Sequence, residues 1–183
     1  MPVSEQTYLK VALEDDHTNW ELHRGQLRSK PDMTAEHNDL MMELGFELRR
    51  QLPRDQHHIR VNAGRIRRSE SHYYIPDVFV IPASLARAQR QGAGHLEIYP
   101  EPLPLVVEVW SPATDDYDVE EKLPEYRDRG DLEIWRIHPY ERTLTRWLRQ
   151  PDGTYAESLH LGGSVQPAAL PGVVINLDHL FEA

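Results

Sequence analysis

The 183-residue chain has no cysteine, which excludes disulfides and thiolate metal sites and leaves Asp, Glu and His as the side chains able to hold a metal. It has no long hydrophobic run either. No window approaches the roughly 18–20 apolar residues of a membrane span, and the N-terminal MPVSEQTYLK lacks the apolar stretch of a signal peptide. These absences predict a soluble cytoplasmic protein with no membrane partner. Positive charge is scarce: 20 Lys and Arg stand against 30 Asp and Glu, a formal net charge of −10. That balance argues against a general nucleic-acid coat protein, which needs excess positive charge to displace counterions from phosphates. Arg60, Arg65, Arg67 and Arg68 still form one local basic patch. Internal repeats and low-complexity segments are also missing. What is present, 39% hydrophobic residues with four Trp and eight Tyr, suffices for a core, and the length suits a single domain over 1–183.

Along the chain, WELHRGQLR reads as a short hairpin. From Thr34 to about Leu52, Leu40, Leu44 and Leu48 recur every four residues with Met41 alongside, so the spacing predicts an amphipathic helix, capped by Thr34 or Asp32 and stopped by Pro53. Strand-like pieces follow at 57–67, 72–82 and 103–112. The last two have the continuous apolar character of strands covered on both faces. A short helix is expected near Ser84 to Gln89. A second helix is expected within Thr114 to Gly130, its regular part starting near Pro124 and Gly130 serving as C-cap. LEIWRIH reads as another strand, RTLTRWLR and TYAESLH as a hairpin about the PDG turn, and the tail as a docking turn with a short helix. The order implies an α/β layer fold.

The chemistry centres on PLVVEVWSP at 104–112, where Glu108 sits among valines. A buried carboxylate costs several kcal/mol unless it is paired, protonated or bound to a cation. Alternation puts Glu108 on one strand face with Val106 and Trp110, and Asp77 with Phe79 and Ile81 at the start of IPDVFVI. Two acidic groups on neighbouring strands suit a hard cation, because Mg²⁺ takes a few carboxylate oxygens and keeps several waters. Plainer readings stand beside this one. Glu108 can pair with an arginine from the next strand, Lys122 can pair with Asp118 four residues earlier on a helix surface, and Tyr126 can simply pack. The histidines, His37 and the His57-His58 pair included, are too scattered for a histidine metal motif.

Pro76-Asp77 before an apolar strand, LVVEVWSPAT at 105–114, then Asp118, Lys122, Tyr126 and Gly130, then LEIWRIHP at 132–139, together resemble the Uma2-like endonucleases of the PD-(D/E)XK superfamily. The similarity extends upstream through YLK, WELHRGQLR and EHNDL and downstream to LPGVVINLDHLF. The resemblance implies a restriction-endonuclease-like fold: a central mixed β-sheet flanked by α-helices, with additional N-terminal and C-terminal β-hairpins. It further implies an endonuclease hydrolysing phosphodiester bonds in DNA with Mg²⁺ or Mn²⁺, acting as a homodimer. Asp77 and Glu108 would be the metal ligands, the Val109 carbonyl a third, and Glu21 or Glu43 an additional acidic ligand. The superfamily's lysine follows the strand glutamate by two residues, a position held here by Trp110, so Lys122 would supply the catalytic amine from the following helix. The alternative is an inactive nuclease fold serving as an interaction or regulatory module, which the net charge and the missing lysine at 110 favour.

Overall fold

The computed structural model describes residues 2–90, 92, 94–113 and 117–182. After α1 (Glu5–Glu14), the hairpin β1 (Trp20–His23) and β2 (Gln26–Ser29) leads into α2 (Ala35–Gln51). Thr34 caps α2, its hydroxyl accepting from the His37 amide at 3.2 Å, and the helix ends at Leu52 because Pro53 cannot continue it. Next come β3 (His57–Val61), β4 (Arg65–Ser69), β5 (His72–Tyr74), β6 (Val78–Pro82), α3 (Ala83–Ala88), β7 (Ile98–Tyr99) and β8 (Leu105–Val109). A π-helical turn (Asp118–Lys122) runs into α4 (Leu123–Arg129). The chain closes with β9 (Glu133–His138), β10 (Thr143–Arg149), β11 (Tyr155–His160), β12 (Ser164–Val165), β13 (Ile175–Asn176) and α5 (Leu177–Leu180).

The strands form a six-stranded mixed sheet ordered β11-β10-β9-β8-β6-β3, a five-stranded sheet ordered β2-β1-β5-β4-β7, and a small β12-β13 pair. Within the larger sheet β8 and β9 run parallel, and β6 lies antiparallel to β8. The N-terminal hairpin is thus no appendage; it supplies two of the five strands of the second sheet. Two stretches expected as single strands are each divided between the sheets. Residues 57–67 become β3 and β4, and HYYIPDVFVIP becomes β5 and β6, with Ile75, Pro76 and Asp77 carrying the chain from one sheet to the other.

Val78 to Ile81 and Leu105 to Val107 are wholly buried, as strands covered on both faces require. Val78, Val80, Leu105, Val107 and Val109 pack under α2 and the C-terminal segment, while Phe79, Ile81 and Val106 face Leu123 and Tyr126 of α4. The α2 helix sits close on β3. A methyl added at Gly45 would meet Val61 Cγ2 at 2.6 Å. Gly45→Ala is expected to destabilise the fold by about 1–2 kcal/mol, overpacking outweighing the gain in helix propensity, and a lowered denaturant midpoint would show it.

The π-helical turn has a local cause. Pro124 has no N–H to donate to the carbonyl four residues back, and its ring would strike it. The turn widens instead, and the Leu123 amide bonds to the Asp118 carbonyl. The segment expected as helix from Thr114 thus begins, within the described residues, with this turn; 114–116 lie outside them. Gly130, at φ 81°, closes α4 as expected.

Candidate active site

The site forms where the two sheets meet. In the antiparallel register of β6 and β8, Val78 faces Val107; one residue further on, Asp77 comes opposite Glu108. The Asp77 carboxylate then fastens the end of β8, Oδ2 accepting from the Val109 amide at 2.7 Å. Val109 thus enters the site through its N–H. Lys30, just beyond β2, donates to Asp77 Oδ1 at 2.7 Å and to the Ile75 carbonyl at 2.8 Å. His37 of α2 places Nε2 3.1 Å from Asp77 Oδ2.

Glu108 points to the opposite end of this cluster, towards α4. Lys122 Nζ lies 3.3 Å from Glu108 Oε1, 3.3 Å from Glu21 Oε1 and 3.4 Å from Asp118 Oδ1. The Tyr126 hydroxyl donates a short hydrogen bond to the same Glu108 oxygen. Glu21 is anchored in turn by the Ile75 amide at 2.8 Å. The register of β8 on β9 sets Arg136 beside Glu108, yet the cation paired with Glu108 is Lys122. The turn bearing Lys122 is held to β1 by His23 and Arg24, which reach Glu121 at 3.0 and 3.1 Å.

Burial and charge set the protonation pattern. Burial raises the Asp77 carboxyl, but Lys30 and His37 outweigh it and hold the group well below the usual carboxylate range. Burial pushes Glu108 up to about 8, with Asp118 and Asp77 adding to the rise and Lys122 opposing it. Burial also works against charge on Lys122, but Glu108, Glu21 and Asp118 raise its pKa well above the ordinary lysine value. Asp77, Glu108, Glu21 and Asp118, all buried, thus face two lysines. The proton on Glu108 helps fill the deficit of positive charge; a divalent cation would remove it.

The donor set fits such a cation. Both donors to Glu108 fall on Oε1, and among the described residues none reaches Oε2. Among the described residues Asp77 receives Lys30 and the Val109 amide, with His37 Nε2 3.1 Å from Oδ2, which leaves at least about one lone-pair direction for a cation. Among the described residues no three His, Asp or Glu side chains form a ready-made cage, but Mg²⁺ needs only one or two carboxylates and keeps its waters.

The structure therefore brings Asp77, Glu108, Lys122 and Glu21 together. Glu43 stays apart, on α2 beside His179 at 3.7 Å. Trp110 does not line up as a substitute base; its ring stacks on His138 at 4.1 Å. The basic patch is spent internally: Arg60 on Glu97, Arg65 on Tyr8, Arg67 on Glu5 and Tyr73, Arg68 on Asp128. Lys30 had no signal in the apolar patterning, since its partner Asp77 lies 47 residues away. His37 stood out only by its place in EHN.

A solved structure described as a putative nuclease belonging to DUF820, from Anabaena variabilis, superposes with a TM-score of 0.79 at 19% identity, covering 99% of this chain and 98% of that one. Among curated proteins none matches. Residues 5–178 match Uma2, described as putative restriction endonuclease, and with that span the chain belongs to the Uma2 family.

Proposed function

We propose that this protein is a Mg²⁺-dependent endonuclease that hydrolyses phosphodiester bonds in DNA. The observation that supports this most is that Asp77 and Glu108 come opposite each other at the strand ends, with no donor to Glu108 Oε2 among the described residues and Lys122 beside it. Asp77 and Glu108 would hold the cation, with the Val109 carbonyl as a further oxygen and Glu21 in reserve. A bound Mg²⁺ supplies a water of lowered pKa and offsets charge developing on the phosphate. Lys122 and Tyr126 fix the Glu108 carboxylate by donating to Oε1, so that its other oxygen is aimed. Asp77 ties the end of β8 to the chain crossing between the sheets, which holds both carboxylates in one place. A double-strand cut needs two such sites, so the protein would act as a homodimer.

Purified protein with Mg²⁺ or Mn²⁺ is expected to nick and linearise plasmid DNA, EDTA to stop it, and Asp77→Asn to abolish it. Cleavage that survives Asp77→Asn would sink the assignment. A correctly folded protein that cuts neither DNA nor RNA would leave the fold serving as an interaction module.

A further inference from the structure

The chain has only three lysines, Lys10, Lys30 and Lys122, against seventeen arginines, and two of the three are buried in this site. They are not equivalent. Lys122 is ringed by three carboxylates, at 3.3, 3.3 and 3.4 Å, which hold its charge inside the site. Lys30 gives one proton to Asp77 and one to the Ile75 carbonyl, and among the described residues nothing takes the third. Its side chain is 6% exposed, and that remnant opens into a cleft of about 360 Å³.

This cleft is polar and adjoins Asp77 through Lys30, which bonds to it. His17, Thr18, Asn19, Ser29, Asp32 and Asn62 line it with Lys30, together with Pro31 and Met33. Asn62 belongs to the same structure as Asp77, since its amide donates to the Asp77 carbonyl at 2.7 Å. Its side-chain Oδ1 is buried with no hydrogen-bond partner among the described residues. The ammonium, with a proton left to give, and the hydroxyls of Thr18 and Ser29 around a cleft of small-ligand size can donate to a phosphate oxygen.

We propose that Lys30 contacts phosphate: the cleft receives a phosphate of the nucleic-acid strand next to Asp77, and Lys30 releases Asp77 to a divalent cation as it takes the phosphate up. The inference rests on the nuclease reading for the nature of the strand. In the metal-free state Lys30 is the counter-ion of Asp77. When a cation takes over that duty, the lysine is repelled by it and attracted by the incoming anion. Cation and phosphate therefore help each other to bind.

The test uses the whole protein and inorganic phosphate as probe, titrated calorimetrically with Mg²⁺ or with EDTA. Phosphate is expected to bind at least about fivefold more tightly with Mg²⁺ present. In Lys30→Met the enhancement disappears while Mg²⁺ alone binds as well as before or better, because its competitor for Asp77 is gone. A merely structural lysine would instead weaken Mg²⁺ binding on removal. Asn62→Asp leaves the Lys30–Asp77 pair intact and suits the left-handed backbone at that position, φ 46°. It is expected to reduce phosphate affinity about tenfold or more by placing a like charge in the cleft. It decides the matter if Lys30→Met does not fold. Undiminished enhancement in Lys30→Met, or unchanged phosphate affinity in Asn62→Asp, overturns the proposal. Because no cleavage is measured, a protein that passes these tests and cuts no nucleic acid refutes the nuclease reading alone.

Discussion

Glu108→Gln is expected to melt at a higher temperature than the parent protein above pH 8 in EDTA, while losing all cleavage. The Glu108 carboxyl is raised from 4.5 to about 8 in the folded protein, by burial first and by Asp118 and Asp77 in addition. Between those two values the folded chain holds a proton that the unfolded chain has released, so stability declines as pH rises through the window. Below it, protonated Glu and Gln are close equivalents and the two proteins should match. Above it, the parent carries a buried charge that Gln does not. Lys122 keeps Glu21 and Asp118 as partners in the variant, so no lysine is stranded. Saturating Mg²⁺ should stabilise the parent, narrowing the gap, and should do little for the variant. Melting curves at pH 5, 7 and 9, with Mg²⁺ and with EDTA, check this. Equal melting temperatures at pH 9 in EDTA would refute the account of Glu108.

The largest loss of stability is expected from Lys122→Met. Removing one partner of a buried charge cluster typically costs about 3–5 kcal/mol, because the charges left behind have neither water nor a counter-ion. Here three carboxylates are left, and Tyr126 still donates to one of them. At roughly 2–4 °C per kcal/mol for a chain of this size, the melting temperature should fall by about 6–20 °C near pH 8. The defect should shrink towards pH 5. Glu108 loses the cation that opposes the effect of its burial and so takes up a proton more readily in the folded protein, which makes stability recover as pH falls. Denaturant midpoints at the two pH values read the difference. A variant as stable as the parent at pH 8 would show that the amine only fills space.

Much of the fold is visible in the sequence wherever one face or both faces of an element are apolar. The four-residue leucine spacing marks α2, and the valine runs mark β6 and β8. The division of HYYIPDVFVIP between two sheets is not visible, because Tyr73, Tyr74 and Ile75 are as apolar as Val78 and Phe79 and both groups are buried. Pro76 is the sole local hint. The same holds at the site. Asp77 and Glu108 stand out as charges inside apolar runs, and Lys122 by its spacing from Asp118. Glu21, Lys30 and His37 lie in polar surroundings where a charged residue is ordinary, so only their contacts across the chain distinguish them. Lys30 does leave one compositional trace: in a chain that uses arginine for nearly every cation, a lysine is unusual.

The crossing at Ile75–Asp77 also ties the site to the completed fold. The side chains of the site come from positions 21, 30, 37, 77, 108, 118 and 122, drawn from both sheets and two helical segments, and Ile75 and Asp77 contact three of them directly, Glu21, Lys30 and His37. On the proposed function, cutting would belong to the finished fold alone, because the site is assembled only where the two sheets have met.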